Sequence, residues 1–244
     1  MSLPYALSTL RPTQFGVLVL QADETLETDL RRLIPPEVEV LVSRVPSGQA
    51  LTTQSIAKMA DEITGAAALF PRGARCAVTA YACTSAAAQL GPQKIRHLIH
   101  AGAAAQHITE PVSALIAACA ALKISSIGLI SPYSAKISDR LREVLASAGI
   151  STPRFASFEE PLEENVARIC PGALRDGARD MGQDPICDAI FLSCTNLRTL
   201  DVIEEIEAIL RKPVLSSNQV LAWHMLRLAG IEARAQTPGR LWQV

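Results

Sequence analysis

Aromatic residues are scarce in this chain of 244 residues, at 4%, and tryptophan occurs only twice. Net charge is almost absent: 23 Lys and Arg stand against 24 Asp and Glu, leaving −1 at pH 7. A general nucleic-acid binder needs a basic face, so no nucleic-acid partner is expected. No run is long and apolar enough to span a bilayer, and no membrane partner is expected either. Met1 to Arg11 has Pro4 inside its short apolar part and lacks a basic leader and a cleavage pattern. It does not read as a signal peptide, which predicts a cytoplasmic location and reduced thiols. Phosphate loops of the GxGxxG or GxxxxGK(S/T) kind are missing, none of the six cysteines forms a CxxC pair, and the four histidines are dispersed. His97 and His100 fall three apart without a glutamate at zinc-protease spacing and read as a partly exposed helix face. These absences lead us to expect neither a metal nor a nucleotide or flavin cofactor.

What is present is an ordinary globular composition, 49% hydrophobic and 19% charged, on a chain long enough to bury an adequate core. Strand-like runs at 15–20, 38–42 and 76–80 alternate with helical spacing at 24–33, 51–68 and 85–101. A second series has helices at 111–122, 135–148, 162–181, 201–210 and 220–229, with strands at 127–130, 152–155, 189–193 and 213–215. Such alternation predicts an α/β fold with parallel sheets covered by helices.

Two short segments repeat: Ala-Cys-Thr-Ser at 82–85 and Ser-Cys-Thr-Asn at 193–196, each after an apolar run and before a helix-like stretch. Gly16-Val-Leu-Val-Leu and Gly128-Leu-Ile-Ser repeat at nearly the same interval. The pattern predicts an internal duplication giving two pseudo-symmetric Rossmann-like lobes. Ligands of open α/β sheets sit beyond the carboxyl ends of strands, where Cys83 and Cys194 both fall. A thiol at a helix start is expected to have its pKa lowered toward neutrality, and neighbouring amides can hold a carboxylate. Thr84, Ser85, Thr195 and Asn196 supply polar groups beside the two thiols. Cys76, Cys119, Cys170 and Cys187 read as packing residues.

Tyr-Ala-Cys-Thr-Ser-Ala at 81–86 and Leu-Ser-Cys-Thr-Asn-Leu-Arg-Thr-Leu-Asp at 192–201 resemble the two cysteine motifs of the aspartate/glutamate racemase superfamily. Ile130-Ser-Pro-Tyr133 and Pro213-Val-Leu-Ser-Ser-Asn-Gln219 are similar to the branch holding maleate cis-trans isomerase and arylmalonate decarboxylase. Within it the chain resembles the ectoine-utilisation protein A group. The resemblance implies an active site between the lobes, no cofactor, and a homodimer or higher homo-oligomer, with Ala-rich stretches at 101–105 and 114–121 as contact helices. It divides the chain into a first lobe of residues 1–110 plus 213–244, completed by the last strand and helix, and a second of residues 111–212. It implies a small carboxylate substrate, with Cys83 as nucleophile or base and Cys194 as acid or base. Tyr133 and Asn165 are carried over as substrate-binding residues. The reaction is either racemisation or cis-trans isomerisation, with a place in ectoine catabolism. The alternatives are an arylmalonate-type decarboxylase using Cys194 alone and a small-acid sensor without turnover.

One departure concerns the substrate. The maleate isomerase pattern carries an asparagine after the first strand, whereas this chain reads Leu20-Gln-Ala-Asp-Glu-Thr-Leu-Glu27, which puts Asp23 or Glu24 there. A carboxylate there would repel a dianion; it suits an ammonium group or acts as a partner for Cys83. The plainer reading is that Asp23 caps the following helix. Ser217 and Asn218 either line the cleft or cap the last helix.

Overall fold

The computed structural model describes residues 1–233 and 237–244. Its first sheet is built from β1 (Gln14–Leu20), β2 (Glu39–Val45), β3 (Cys76–Ala82) and β4 (Ala105–Thr109), all parallel, in the order β2-β1-β3-β4. The second is built from β5 (Ser126–Ser131), β6 (Ser151–Ser157), β7 (Ala189–Leu192) and β8 (Val214–Ser216), also parallel, in the order β6-β5-β7-β8. The two orders correspond strand for strand, so the duplicated motifs sit on duplicated topology. Strands β1, β3, β5 and β7 lie inside their sheets and are almost wholly buried, which is why they read as unbroken apolar runs. The edge strands β2 and β6 carry exposed charged residues such as Glu39 and Arg154.

The helices are α1 (Leu26–Leu33), α2 (Thr53–Ala68), α3 (Thr84–Leu90), α4 (Pro92–Gly102), α5 (Pro111–Leu122), α6 (Ala135–Ser147), α7 (Glu163–Val166), α8 (Pro171–Gly182), α9 (Leu200–Leu210) and α10 (Ser217–Ala229). The single helix expected at 85–101 is two. Gly91 takes φ 77°, which a residue with a Cβ rarely adopts, and Pro92 cannot continue a helix from upstream but suits the first position of α4. The helix expected at 162–181 is likewise split, with Pro171 opening α8. Strand β4 was not foreseen; the Ala-rich stretch at 101–105 is the end of α4 and the beginning of β4, because an edge strand of five residues in alanine-rich surroundings carries little periodicity.

The placement of the last strand is corrected. Val214–Ser216 does not complete the first lobe: its backbone pairs with β7 through Ile190–Val214 to Leu192–Ser216, extending the second sheet. The chain crosses between lobes after β8, and α10 then packs on α1, α5, β3 and β4. Residues 234–236 of the segment 213–244 lie outside the described residues. Among the described residues, no helix is long and apolar enough to cross a membrane.

Candidate active site

In each sheet the chain leaves one inner strand toward one side and the next inner strand toward the other, which opens a crevice at their carboxyl ends. Asp23 follows β1 and Cys83 follows β3; Tyr133 follows β5 and Cys194 follows β7. Both lobes therefore direct their crevice residues into one site, and all four of these side chains are buried.

Cys194 is held by two contacts. The Tyr133 hydroxyl lies 3.2 Å from its sulfur, and the Asn196 amide donates to that sulfur at 3.3 Å. The Tyr133 hydroxyl also donates to Glu163 Oε1 at 2.7 Å, while Asn196 Nδ2 donates to Glu163 Oε2 at 3.2 Å. Tyr133 is fixed through its backbone, whose carbonyl accepts from Ser157 Oγ at 2.6 Å. Glu163 is thus a buried member of the site, brought there because its amide donates to the carbonyl of Gln49 in the other lobe at 3.0 Å and Ala50 bridges Leu162 beside it. A cavity of about 290 Å³ is lined by Tyr133, Thr52, Lys136 and Glu160 among others.

On the first lobe, Asp23 Oδ1 accepts from the amides of Thr25 and Leu26, both at 2.9 Å, so one oxygen does cap the turn into α1. Its other oxygen, Oδ2, is buried without a hydrogen-bond partner among the described residues. Glu24 is exposed, which assigns the inward position to Asp23. Burial raises the pKa of Asp23 and of Glu163, against the hydrogen bonds that each accepts.

The thiols depart from expectation. Burial pushes Cys83 up to about 12; the amides of Ala86 and Ser85 oppose this, while the Glu163 and Asp23 carboxylates add to it. Burial also holds Cys194 well above its ordinary value, reinforced by Glu163 and opposed by Tyr133 and Asn196. Cys83 does precede α3, but Cys194 is separated from α9 by a turn and gains no helix start. A helix terminus contributes at most about 2 kcal/mol to an ionised group, and desolvation with two nearby carboxylates outweighs it.

The polar residues beside the cysteines mainly tie the lobes together. The Thr84 hydroxyl faces Ser217 Oγ at 2.8 Å, and Thr195 Oγ1 donates to the Ala82 carbonyl at 3.4 Å. Asn196 Oδ1 accepts from Glu24 at 2.9 Å, so its side chain clamps both lobes rather than standing free. Ser85 is buried but makes no side-chain hydrogen bond among the described residues. Asn165 is half-buried on α7 and likewise unbonded; Glu163, two residues earlier, takes the bonds to Tyr133 and Asn196. Neither Ser217 nor Asn218 caps α10, since Ser216 does. Asn218 instead donates to Asp29 Oδ2 at 2.7 Å and to the Thr195 carbonyl at 2.8 Å. Glu163 and the buried phenol of Tyr81, which has no partner among the described residues, were missed in the sequence. The only signal was an acidic residue two positions before Asn165 and a tyrosine two positions before Cys83. Among the described residues no group of three His, Cys, Asp or Glu side chains has an arrangement suited to a metal ion.

Residues 33–242 match the arylmalonate decarboxylase family. Maleate isomerase of Geobacillus stearothermophilus is 26% identical over 243 residues, covering 93% of this chain and 96% of that protein. The structure of maleate isomerase from Pseudomonas putida S16 with maleate has a TM-score of 0.85 at 24% identity, covering 94% of this chain and 97% of that one. Nocardia farcinica maleate cis-trans isomerase, solved as a cysteine-to-serine mutant with a covalently bound succinylcysteine intermediate, has a TM-score of 0.82 at 20% identity, covering 94% and 98%. At these identities the two structural likenesses establish the fold.

Proposed function

Because the chain belongs to the arylmalonate decarboxylase family, with a match that spans Cys83, Tyr133, Glu163 and Cys194, we propose that it is an isomerase of a small carboxylic acid working through two thiols. The observation that carries this reading is the placement of Cys83 and Cys194 at corresponding strand ends of two duplicated sheets, both buried in one site. A thiol on each side of a carbon lets one group act on one face and the second on the other.

For a substrate with a carbon–carbon double bond, the Cys83 thiol gives its proton to a neighbouring buried carboxylate, Asp23 or Glu163; its thiolate forms a bond to one alkene carbon and the Cys194 thiol gives its proton to the next. The resulting single bond rotates. Return of that proton to Cys194 and cleavage of the carbon–sulfur bond release the other geometric isomer. The covalent succinylcysteine in the Nocardia farcinica relative supports this order of events. For a substrate with a hydrogen on a carbon next to a carboxylate, one thiolate removes that proton and the other thiol returns one to the opposite face. In both schemes the Asn196 backbone amide stabilises negative charge on the Cys194 sulfur, and the Tyr133 hydroxyl joins it by turning its one proton from Glu163 Oε1 to the sulfur. Decarboxylation through Cys194 alone is the second reading, favoured by the family match. The place in ectoine catabolism implied by the sequence resemblance belongs with the isomerase reading.

The test is incubation with small carboxylic acids in deuterated water, followed by mass spectrometry of substrate and protein. Addition and rotation yield a thioether on Cys83; proton transfer yields solvent deuterium at the substrate carbon. Each of Cys83→Ser and Cys194→Ser should lose isomerisation by about 10³-fold or more while folding normally. Loss confined to Cys194→Ser, with release of carbon dioxide, selects decarboxylation. Turnover undiminished in both variants refutes the thiol mechanism.

A further inference from the structure

Five acidic side chains are buried among the described residues, Asp23, Asp29, Glu110, Glu163 and Glu207, and no lysine or arginine is buried with them. Two of the five, Asp23 and Glu163, lie in the thiol site and act electrostatically on both cysteines. The nearest base to Asp23 is Arg44, which is exposed, paired with Glu27 and bonded to the backbone carbonyls of Leu20, Gln21 and Asp23. It supports the loop through these carbonyls and, as an exposed charge, offsets the Asp23 carboxylate only in part.

Most carboxylate and amide oxygens of the site are bonded, while the buried phenol of Tyr81 near Cys83 is a donor without a partner among the described residues. Both Glu163 oxygens are occupied, by Tyr133 and by Asn196. Asp23 Oδ1 takes two amides, and Asn196 Oδ1 takes the amide of Glu24. Asp23 Oδ2 is the buried carboxylate oxygen that no well-formed hydrogen bond reaches among the described residues, the Thr195 hydroxyl lying near enough to favour its ionised form. An acceptor carrying negative charge in a water-poor site is costly unless a donor reaches it, and a cationic donor satisfies it best.

We infer that this site takes a small carboxylic acid bearing an ammonium group, that the ammonium is received by Asp23 Oδ2 with the Glu163 carboxylate nearby, and that dianionic diacids are disfavoured. The inference rests on the site proposed above and adds its substrate class. A dianion would bring two further negative charges to a pair of carboxylates without a buried counter-charge, and to a thiol that must become anionic in turnover. An ammonium group offsets the carboxylates instead, and so eases ionisation of Cys83 when the substrate is bound. Glu163 has a second, positioning role, since it orients Tyr133 and Asn196 about Cys194.

The test compares probes matched in length that differ only in this group. Binding of 4-aminobutanoate and succinate to the wild-type protein is measured by titration calorimetry at low ionic strength and pH 7.5, with turnover of cis-4-aminobut-2-enoate and maleate followed in parallel. The expected result is at least about 10-fold tighter binding of 4-aminobutanoate, a difference of about 1.4 kcal/mol. Asp23→Asn keeps Oδ1 as an acceptor for Thr25 and Leu26 and should fold; it should erase this preference. Succinate binding as tightly as the amine overturns the inference, as does the absence of amine binding at millimolar concentration or a preference that survives Asp23→Asn. If Asp23→Asn fails to fold, the wild-type comparison decides alone. Calorimetry requires no turnover, so a wrong substrate class leaves the cysteine-variant test of the isomerase reading intact, and the reverse holds as well.

Discussion

Tyr133 and Glu163 meet through a 2.7 Å hydrogen bond between a phenol and a carboxylate, both buried, whose other contacts reach Cys194 and Asn196. The pair joins a residue at the end of β5 to one on α7, and it turns a buried charge into a support for a thiol. Removing the phenol hydroxyl leaves Glu163 Oε1 buried without a partner, which costs more than the bond itself contributes.

Tyr133→Phe takes the hydroxyl from Cys194 and Glu163 together. It should lower kcat by about 10-fold to 100-fold with a smaller change in KM, because the lost contact acts on a reacting sulfur. Steady-state kinetics on the substrate found by the deuterium experiment measure this. A change in KM alone would show that the hydroxyl only binds substrate.

Glu163→Gln keeps an oxygen for Asn196 Nδ2 and turns an amide nitrogen toward the Tyr133 hydroxyl, which must then accept and turn its own proton to the Cys194 sulfur. Exchanging two charge-assisted bonds for neutral ones should shift stability by about 1 kcal/mol in urea denaturation. An unchanged midpoint would mean that the network rearranges freely.

Thiol reactivity should rank by burial and charge. Cys170 is the exposed cysteine and should be alkylated first by iodoacetamide. Cys83, pushed up to about 12, should react slowly at pH 7 and still be gaining rate above pH 9. Peptide mass spectrometry across a pH series reads this directly. A rate plateau for Cys83 near pH 7 would contradict the dominance of burial.

Asp29 gives the fold a pH dependence. Burial raises it to about 6, against the hydrogen bond from Asn218. A carboxyl whose folded pKa exceeds its unfolded value binds its proton more tightly in the native state. Stability from it is therefore present below about pH 4 and lost as pH rises through about 6. Asp29→Asn retains an acceptor for Asn218 and should stabilise the protein at pH 7.5 by about 1–3 kcal/mol, with little effect at pH 4. Denaturation midpoints at the two pH values provide the comparison.

Lobe docking should depend on the buried amide more than on surface charge. Asn218→Ala strips the contacts to Asp29 and to the Thr195 carbonyl and should cost about 2–4 kcal/mol. The Arg32–Asp201 ion pair at 2.7 Å also involves both lobes, yet its side chains are 46% and 72% exposed, so Arg32→Ala should cost under about 1 kcal/mol.

Much of this architecture is legible along the chain because both inner strands of each sheet are buried on two faces and must be continuously apolar. The repeated cysteine words fall at the ends of such strands, which placed Cys83 and Cys194 correctly in the topology. Elements whose signals are short or external were harder to read. Strand β4 is a five-residue edge, and the break at Gly91 required knowing that its backbone turns left-handed. Asn165 is carried over from the family resemblance, whereas Glu163 has no local signal, since its partners, Tyr133 and Asn196, lie 30 and 33 residues away.

The sequence by itself determined the alternation of strands and helices, the duplication and the two thiols, because apolar periodicity and repeated motifs are local properties. Tertiary structure decided the rest. It assigned the last strand to the second sheet, since only pairing with β7 can satisfy that backbone. It made the thiols reluctant to ionise, because burial and two carboxylates from distant segments converge on them. It turned Asn196 and Asn218 into clamps and left one oxygen of Asp23 unpaired, since hydrogen-bond partners are set by which segments meet in space.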